Sequence, residues 1–291
     1  MKKILFSLFC LYAPLSFAEK TEVTIGFNPA ENVDVMETNG KLFSEYYKKH
    51  TGLTVKTFIA TDYTALIEAL RSGRIDFAFL PPFSFVKAEE VAGAKVLMKS
   101  VRKGRAHFYS AIIVRADKYK DLAALKGKNI AWVDPASSSG FIVPKASLIT
   151  KAKIDPEKFF NKQVYAGSHD ALVLSVLNGT VDAGATFSND DKGEEGSWHQ
   201  FLKTDEDRKK IKAVHISDPI PGDTLTTTVK FANANKELVE KTIKLLSGMD
   251  KSDEGKAILK ALYRIDSLVV ATSKEYESLR KAAKVIDVDV K

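Results

Sequence analysis

The sequence predicts an α/β protein built as two lobes about a central cleft, and three observations carry that expectation. Strand-like apolar runs alternate with helical runs, the pattern of parallel strands joined by crossover units. One strand–helix–strand plan occurs twice, closing on Gly73-Arg74-Ile75-Asp76 in one copy and Gly179-Thr180-Val181-Asp182 in the other. Three C-terminal helical segments carry apolar faces that need a surface to cover, and the first lobe offers it.

The first 18 residues, "MKKILFSLFCLYAPLSFA", have a basic start, an apolar run and a small-residue end at Ser16 and Ala18. These are the three parts of a secretory signal peptide, so folding is expected to begin near Glu19. Cys10, the only cysteine, falls within it behind the bulky Phe9, which argues against a lipid-modified mature start. A mature chain without cysteine has neither a disulfide framework nor a thiolate site.

From Glu22, "EVTIGF" reads as strand, "GKLFSEYYKKHTG" as helix, "LTVKTFIA" as strand, "DYTALIEALRSG" as helix and "IDFAFL" as strand. "KVLMKS" and "HFYSAIIVR" are strand-like, and "ADKYKDLAALKGKN" is a polar connection. A second alternation follows: "IAWV", a helix from about Gly140 to Ala152, "KQVYAG", "DALVLSVLNG" and "VDAGATF". "NKELVEKTIKLLSG", "SDEGKAILKALYRI" and "SKEYESLRKAAKVI" are the closing helices. This order gives a first lobe at residues 19–114 and 226–291, and an inserted second lobe at 115–225. "AIIVR" and "TLTTTV" are expected as the paired crossings, which restrict motion to bending.

Removing Lys2 and Lys3 lowers the formal charge from +7 to +5, and the remaining charges are interspersed rather than gathered in a stripe. Nucleic acid is therefore not an expected partner. No later apolar run approaches the roughly 20 residues that span a bilayer. Neither an HExxH motif nor a glycine-rich dinucleotide fingerprint occurs, so no metal or cofactor is implied.

In "WVDPASSSG" three serines, Ser137, Ser138 and Ser139, stand between a strand and a helix. The first-turn N–H groups of a helix lack internal acceptors. Added to three hydroxyls, they form a receptor for a compact tetrahedral oxyanion. The same residues also read as one N-cap with two solvated turn serines. His169 in "AGSHDALVL" occupies the corresponding turn one unit later and can donate to the same anion, or simply cap its helix. In the opposing lobe the equivalent turn holds Tyr63, with a hydroxyl and an aromatic face to offer. Tyr109, near the expected crossing, could close onto the same volume, and "AFLPPFSF" reads as an aromatic wall or a turn. Ser138, His169 and Asp182 make a poor hydrolytic triad, because no Gly-x-Ser-x-Gly elbow is present and Asp182 sits in the repeated structural position.

With these motifs in hand, the chain resembles the periplasmic phosphate-, phosphite- and phosphonate-binding proteins of ABC transporters, closest to the phosphonate branch. The resemblance covers nearly all of the mature chain. Its sharpest segments are "TDYTALIEALRSGRIDFAFLPP", "VDPASSSGFIVP" and "GSHDALVLSVLNGTVDAGAT". It implies a class II two-lobed periplasmic binding-protein fold with mixed sheets that closes on its ligand in the periplasm and is read by an ABC permease; a monomer is the economical expectation. It further implies that Ser137, Ser138 and Ser139 hold the phosphoryl group with His169, while Tyr63 reaches across. A threonine is familiar where this chain has Ser138; the hydroxyl is retained. Receptors for aminoalkyl tails use acidic groups on the far side, and the surroundings of Asp190 and Asp223 resemble those regions. The competing expectation is the same exported fold serving another solute, such as a sulfonate, or a sensory role.

Overall fold

The computed structural model describes residues 20–288; the expected signal peptide lies outside them. In chain order the strands are β1 (Glu22–Phe27), β2 (Thr54–Ile59), β3 (Phe77–Leu80), β4 (Ala94–Val101), β5 (His107–Arg115), β6 (Asn129–Trp132), β7 (Lys162–Tyr165), β8 (Ala183–Ser188), β9 (Ile211–Ile216), β10 (Ile220–Pro221), β11 (Thr224–Thr228) and β12 (Ser267–Val270). They form two mixed sheets. One has the order β12-β4-β11-β3-β1-β2; the other runs β10-β5-β8-β6-β7, with β9 also paired to β5.

The sequence repeat is realised bond for bond. Helix Tyr63–Arg71 is capped by Asp62, whose carboxylate accepts from the Ala65 N–H, and helix His169–Leu177 by Ser168, whose hydroxyl accepts from the Ala171 N–H. After each helix a glycine turns the chain at positive φ, 72° at Gly73 and 73° at Gly179. The aspartate that follows ties the next strand to the sheet. The Asp76 carboxylate accepts from Thr24 N at 2.8 Å, and that of Asp182 from Asn129 N at 2.9 Å. Tyr63 and His169 are thus equivalent: each is the first residue of its helix, beyond the carboxyl ends of the parallel strands, where open α/β sheets bind ligands.

Several elements depart from expectation for identifiable reasons. The first helix spans Val33–Thr51 and starts earlier than "GKLF" suggested, because the Asn32 side chain caps the N–H groups of Asp34 and Val35. Pro82 opens a helix, Pro82–Ala92, at a position where its missing N–H costs nothing. Between the second and third C-terminal helical segments, where no element was expected, Ser267–Val270 forms an antiparallel edge strand on β4. His107–Arg115 lies wholly in the second sheet and Thr224–Thr228 wholly in the first. The chain therefore passes between sheets at about residues 102–106 and 222–223, rather than at 114/115 and 225/226. At Gly222 the passage is tight: a Cβ would lie 2.2 Å from the Ser100 carbonyl oxygen. The C-terminal helix Glu277–Val285 does more than cover the first lobe, since it packs on both Pro82–Ala92 and Val143–Thr150.

The lobes are in contact across the cleft. Phe83 N donates to Ser138 Oγ at 2.8 Å, Ser84 Oγ to the Ala136 carbonyl at 2.9 Å, and His169 N to the Ala30 carbonyl at 3.1 Å. One buried apolar cluster runs through both lobes, joining Leu66 and Phe83 to Ile112 and Trp132.

Candidate functional site

A cavity of about 330 Å³ lies between the lobes, and Tyr63, Ser137, Ser138, Ser139 and His169 all line it. Each of the five is at most 6% exposed. The serines begin a continuous helical run in which Ser138–Ile142 is π-helical and Val143–Thr150 α-helical. Pro144 accounts for the wide first turn. It has no N–H to give the Gly140 carbonyl, which accepts instead from Val133 N at 3.0 Å. Gly140 is needed there, since a Cβ would fall 2.5 Å from the Val133 side chain.

The three serines are held differently. Ser137 Oγ accepts from Gly140 N at 3.1 Å, Ser138 Oγ accepts from Phe83 N, and the Ser139 carbonyl accepts from Ser110 Oγ at 2.6 Å. These bonds use the Ser137 and Ser138 oxygens as acceptors, so each hydroxyl still has a proton to donate, and both residues line the cavity. Together with the adjoining helix N-terminus, they make a pre-set group of donors.

Tyr63 and Asn28 supply the sharpest sign that the cavity is a polar binding site. Among the described residues, two buried side-chain polar atoms lack a hydrogen-bond partner, Tyr63 Oη and Asn28 Oδ1, and both residues line this cavity. Burying such a group unpaired costs about 1–3 kcal/mol, so it is ordinarily avoided. Burial also raises the Tyr63 phenol well above its usual pKa, so it remains a protonated donor. His169 Nδ1 is 2.8 Å from Thr186 Oγ1, and its ring meets Phe187 edge-on at 5.1 Å. Burial pushes the imidazole pKa down to about 3, which keeps it neutral.

The remaining expected residues separate here. Asp223 lines the cavity, but Arg102 Nη2 donates to it at 2.6 Å. Asp190 lies off the cavity, its carboxylate accepting from the N–H groups of Lys192, Glu194 and Glu195 and so shaping its own loop. Tyr109 also points elsewhere: its hydroxyl is 3.3 Å from His107 Nε2, and strand alternation sends the neighbouring Phe108 into the cavity. Sequence reasoning missed Asn28, Glu31 and Thr186. Glu31 is a buried carboxylate on the cavity wall, with Gln200 Nε2 at 3.4 Å and Arg264 Nη1 at 3.8 Å. Desolvation by burial outweighs these partners and raises its pKa. Asn28 and Glu31 follow β1 in "NPAEN", where the turn-like composition hid them.

A statistical model of the family described as ABC transporter, phosphonate, periplasmic substrate-binding protein matches residues 25–276. The chain belongs to this family. A phosphate-import protein, PhnD, of Mycolicibacterium smegmatis is 32% identical over 176 residues, 57% of this chain and 54% of that protein. That segment spans only about half the relative's length. The phosphonates-binding periplasmic protein of Escherichia coli is 28% identical over 269 residues, 89% of this chain and 75% of its own. PhnD1 from Prochlorococcus marinus, solved in complex with methylphosphonate, superposes with a TM-score of 0.78 at 20% identity, covering 92% of this chain and 99% of that one. It shares the two-lobed fold. Members of this phosphonate-binding family are transport proteins, not enzymes. The geometry agrees with that role: His169 Nδ1 is engaged by Thr186, while the Asp182 carboxylate is engaged by Asn129 N and the Tyr119 hydroxyl. No catalytic relay joins Asp182 to His169.

Proposed function

We propose that this protein captures a phosphonate in the periplasm, as a monomer, and delivers it to the permease of an ABC importer. The observation that carries the reading is the buried, partnerless Tyr63 hydroxyl in the same cavity as Ser137, Ser138, Ser139 and His169. Desolvating an anion is costly unless every oxygen finds a partner. These five residues come from both lobes, so full matching requires closure. A hydrogen bond to a charged group contributes about 1.5–3 kcal/mol against about 0.5–1.5 for a neutral pair, so several together favour the closed form.

The cavity volume favours an organic phosphonate over phosphite or phosphate. At roughly 330 Å³ it lies at the lower end of the ~300–1,000 Å³ typical of small-molecule pockets. An inorganic oxyanion fills only part of that. Phe79, Phe108, Phe187 and Ile265 line the cavity and suit an alkyl substituent, while Glu31 offers a counter-charge to an ammonium at its end. Asp190 and Asp223 serve this role less well, the first being off the cavity and the second paired with Arg102.

Calorimetric titration of the mature protein with methylphosphonate, aminoethylphosphonate, phosphite, phosphate and sulfate tests the reading. Binding of at least one phosphonate more tightly than phosphate is expected. No heat with any phosphorus oxyanion would overturn it.

A further inference from the structure

His169 can be assigned a tautomer by counting protons behind it. Thr186 Oγ1 donates to Ser197 Oγ at 2.8 Å, which commits the one hydroxyl proton that Thr186 possesses. Thr186 must then act as acceptor toward His169 Nδ1, also at 2.8 Å, so Nδ1 carries the imidazole proton. The relay is buried: Thr186 and Ser197 are each 0% exposed. In a neutral ring with Nδ1–H, the other nitrogen, Nε2, has only a lone pair. Nε2 takes no part in any hydrogen bond of the described residues, and His169 lines the ligand cavity.

We propose that Thr186 and Ser197 fix His169 as a hydrogen-bond acceptor, so that Nε2 receives the P–OH proton of a singly protonated phosphonate and rejects oxyanions that have no proton to give. The inference rests on the phosphonate reading above and adds a protonation state to it. Tyr63 and the serines supply donors for the deprotonated oxygens; on the same side of the cavity as the serine turn, His169 Nε2 supplies an acceptor for the remaining proton, while Asn28 Oδ1 and the Glu31 carboxylate are acceptors on the opposite wall. An alkanesulfonate has the same charge and nearly the same shape as a phosphonate monoanion but lacks that proton. Its third oxygen would face the Nε2 lone pair, lone pair against lone pair. A site built to pair with a hydroxyl discriminates strongly against the analogue without it. Thr186 and Ser197 are positioning residues in this scheme; His169 touches the ligand.

The pH dependence follows with a definite sign. The titratable groups on the elements packed around His169 are Asp170 on its own helix, His199 on helix Ser197–Phe201, and His107, Tyr109 and Arg115 on β5, while β8 carries none; facing it across the cavity are Glu31, Tyr63, Arg102, Lys103, Glu195, Asp223, Lys260, Tyr263 and Arg264. His169 itself, held to a pKa of about 3 by burial, stays neutral through the working range. The ligand's second ionisation, at roughly 6–7 for a phosphorus acid, then governs affinity. Binding is constant below that value and weakens by about tenfold per pH unit above it. A site for the dianion would give the opposite slope.

The test pairs nitrogen NMR with calorimetry on the mature protein. In the ¹⁵N-histidine-labelled free protein, His169 is expected to show a protonated Nδ1 and an unprotonated Nε2, retained in the methylphosphonate complex. Titrations between pH 5.5 and 9 are expected to show affinity falling with rising pH, and methanesulfonate binding at least about a hundredfold more weakly than methylphosphonate. Thr186→Val removes the Nδ1 acceptor, and Ser197→Ala frees the Thr186 proton to point back at Nδ1. Both therefore permit the Nε2–H form, and both are expected to narrow the phosphonate-to-sulfonate ratio by about tenfold or more with a flatter pH profile. A purely structural role for this pair would lower affinity for both ligands alike. A protonated Nε2 in the free protein, an imidazolium in the complex, or affinity rising with pH would each overturn the proposal. If the Nδ1–H form is found but no phosphonate binds at any pH, the ligand assignment falls and the protonation selectivity falls with it.

Discussion

Tyr63→Phe should weaken ligand binding while leaving the free protein as stable as before, and the structure sets both magnitudes. The ring is 1% exposed and packs with Ala136 and Leu172 in a buried cluster, so phenylalanine preserves the apolar contacts. Among the described residues the hydroxyl makes no full hydrogen bond, and Asn28 and Ser137 are its polar neighbours, so its removal costs only weak internal contacts. In the closed form it removes an unpaired buried group, a change worth up to about 1–3 kcal/mol in favour of the variant. At about 2–4 °C per kcal/mol for chains of 150–250 residues, the Tm without ligand is expected to hold or to rise by a few degrees. With ligand the sign reverses. One donor to a charged oxygen is lost, about 1.5–3 kcal/mol, which corresponds to roughly a 10- to 150-fold increase in Kd. Calorimetry with methylphosphonate reads the second quantity and differential scanning calorimetry the first. Binding within twofold of the parent protein would remove Tyr63 from the site. A loss of affinity accompanied by an equal loss of Tm would make the residue a packing element.

Three further substitutions probe the surrounding design. Ser138→Ala deprives the Phe83 N–H of its acceptor across the cleft, so Kd should rise at least about tenfold and the ligand-free protein should open, seen as a larger radius in solution scattering; Ser138→Thr should restore both. Glu31→Gln should weaken aminoethylphosphonate by about tenfold and leave methylphosphonate unchanged, measured by competition, because only the former carries an ammonium. Asp182→Ala should cost about 1–3 kcal/mol in urea denaturation by stranding Asn129 N, with no change in affinity. A loss of binding in a stably folded Asp182 variant would contradict its structural placement.

The features legible in the sequence are those governed by local chemistry. The Gly73–Asp76 and Gly179–Asp182 segments could be read because a positive-φ glycine and a strand-tethering carboxylate are needed wherever such a helix returns to its sheet. Tyr63, the serine turn and His169 could be read because helix N-termini beyond parallel strands lie together by topology. Other features depend on which way a strand faces. "HFYSAI" carries ring side chains on both faces, so its pattern does not choose between Phe108 and Tyr109, and a one-residue change of phase exchanges them. Asp190 looked available because it is acidic and in a loop, yet three consecutive-turn N–H groups consume its carboxylate. Glu31 looked ordinary because nothing in "NPAEN" reveals that the other lobe will bury it. The crossing points were hidden for a related reason: the passage at Gly222 is dictated by the approach of the Ser100 carbonyl, a contact between segments more than a hundred residues apart.

The repeat also explains how one pocket can distinguish a proton. Tyr63 and His169 occupy the same place in two copies of one strand–helix–strand unit, and the lobes bring the copies face to face around the cavity. Two identical donors there would favour a fully deprotonated anion, and two acceptors would repel any anion. Instead, one copy presents a phenol whose high pKa makes it a donor. The other presents an imidazole whose donor face is turned backward onto Thr186. A symmetric scaffold thereby gives an asymmetric hydrogen-bond pattern, matched to a ligand that itself carries both charged oxygens and a hydroxyl. The asymmetry depends on Thr186 and Ser197, which lie behind the pocket wall. Exchange of those two residues, rather than of the serine turn, is then the shortest route by which this architecture could change from a phosphonate receptor to one for a proton-free oxyanion.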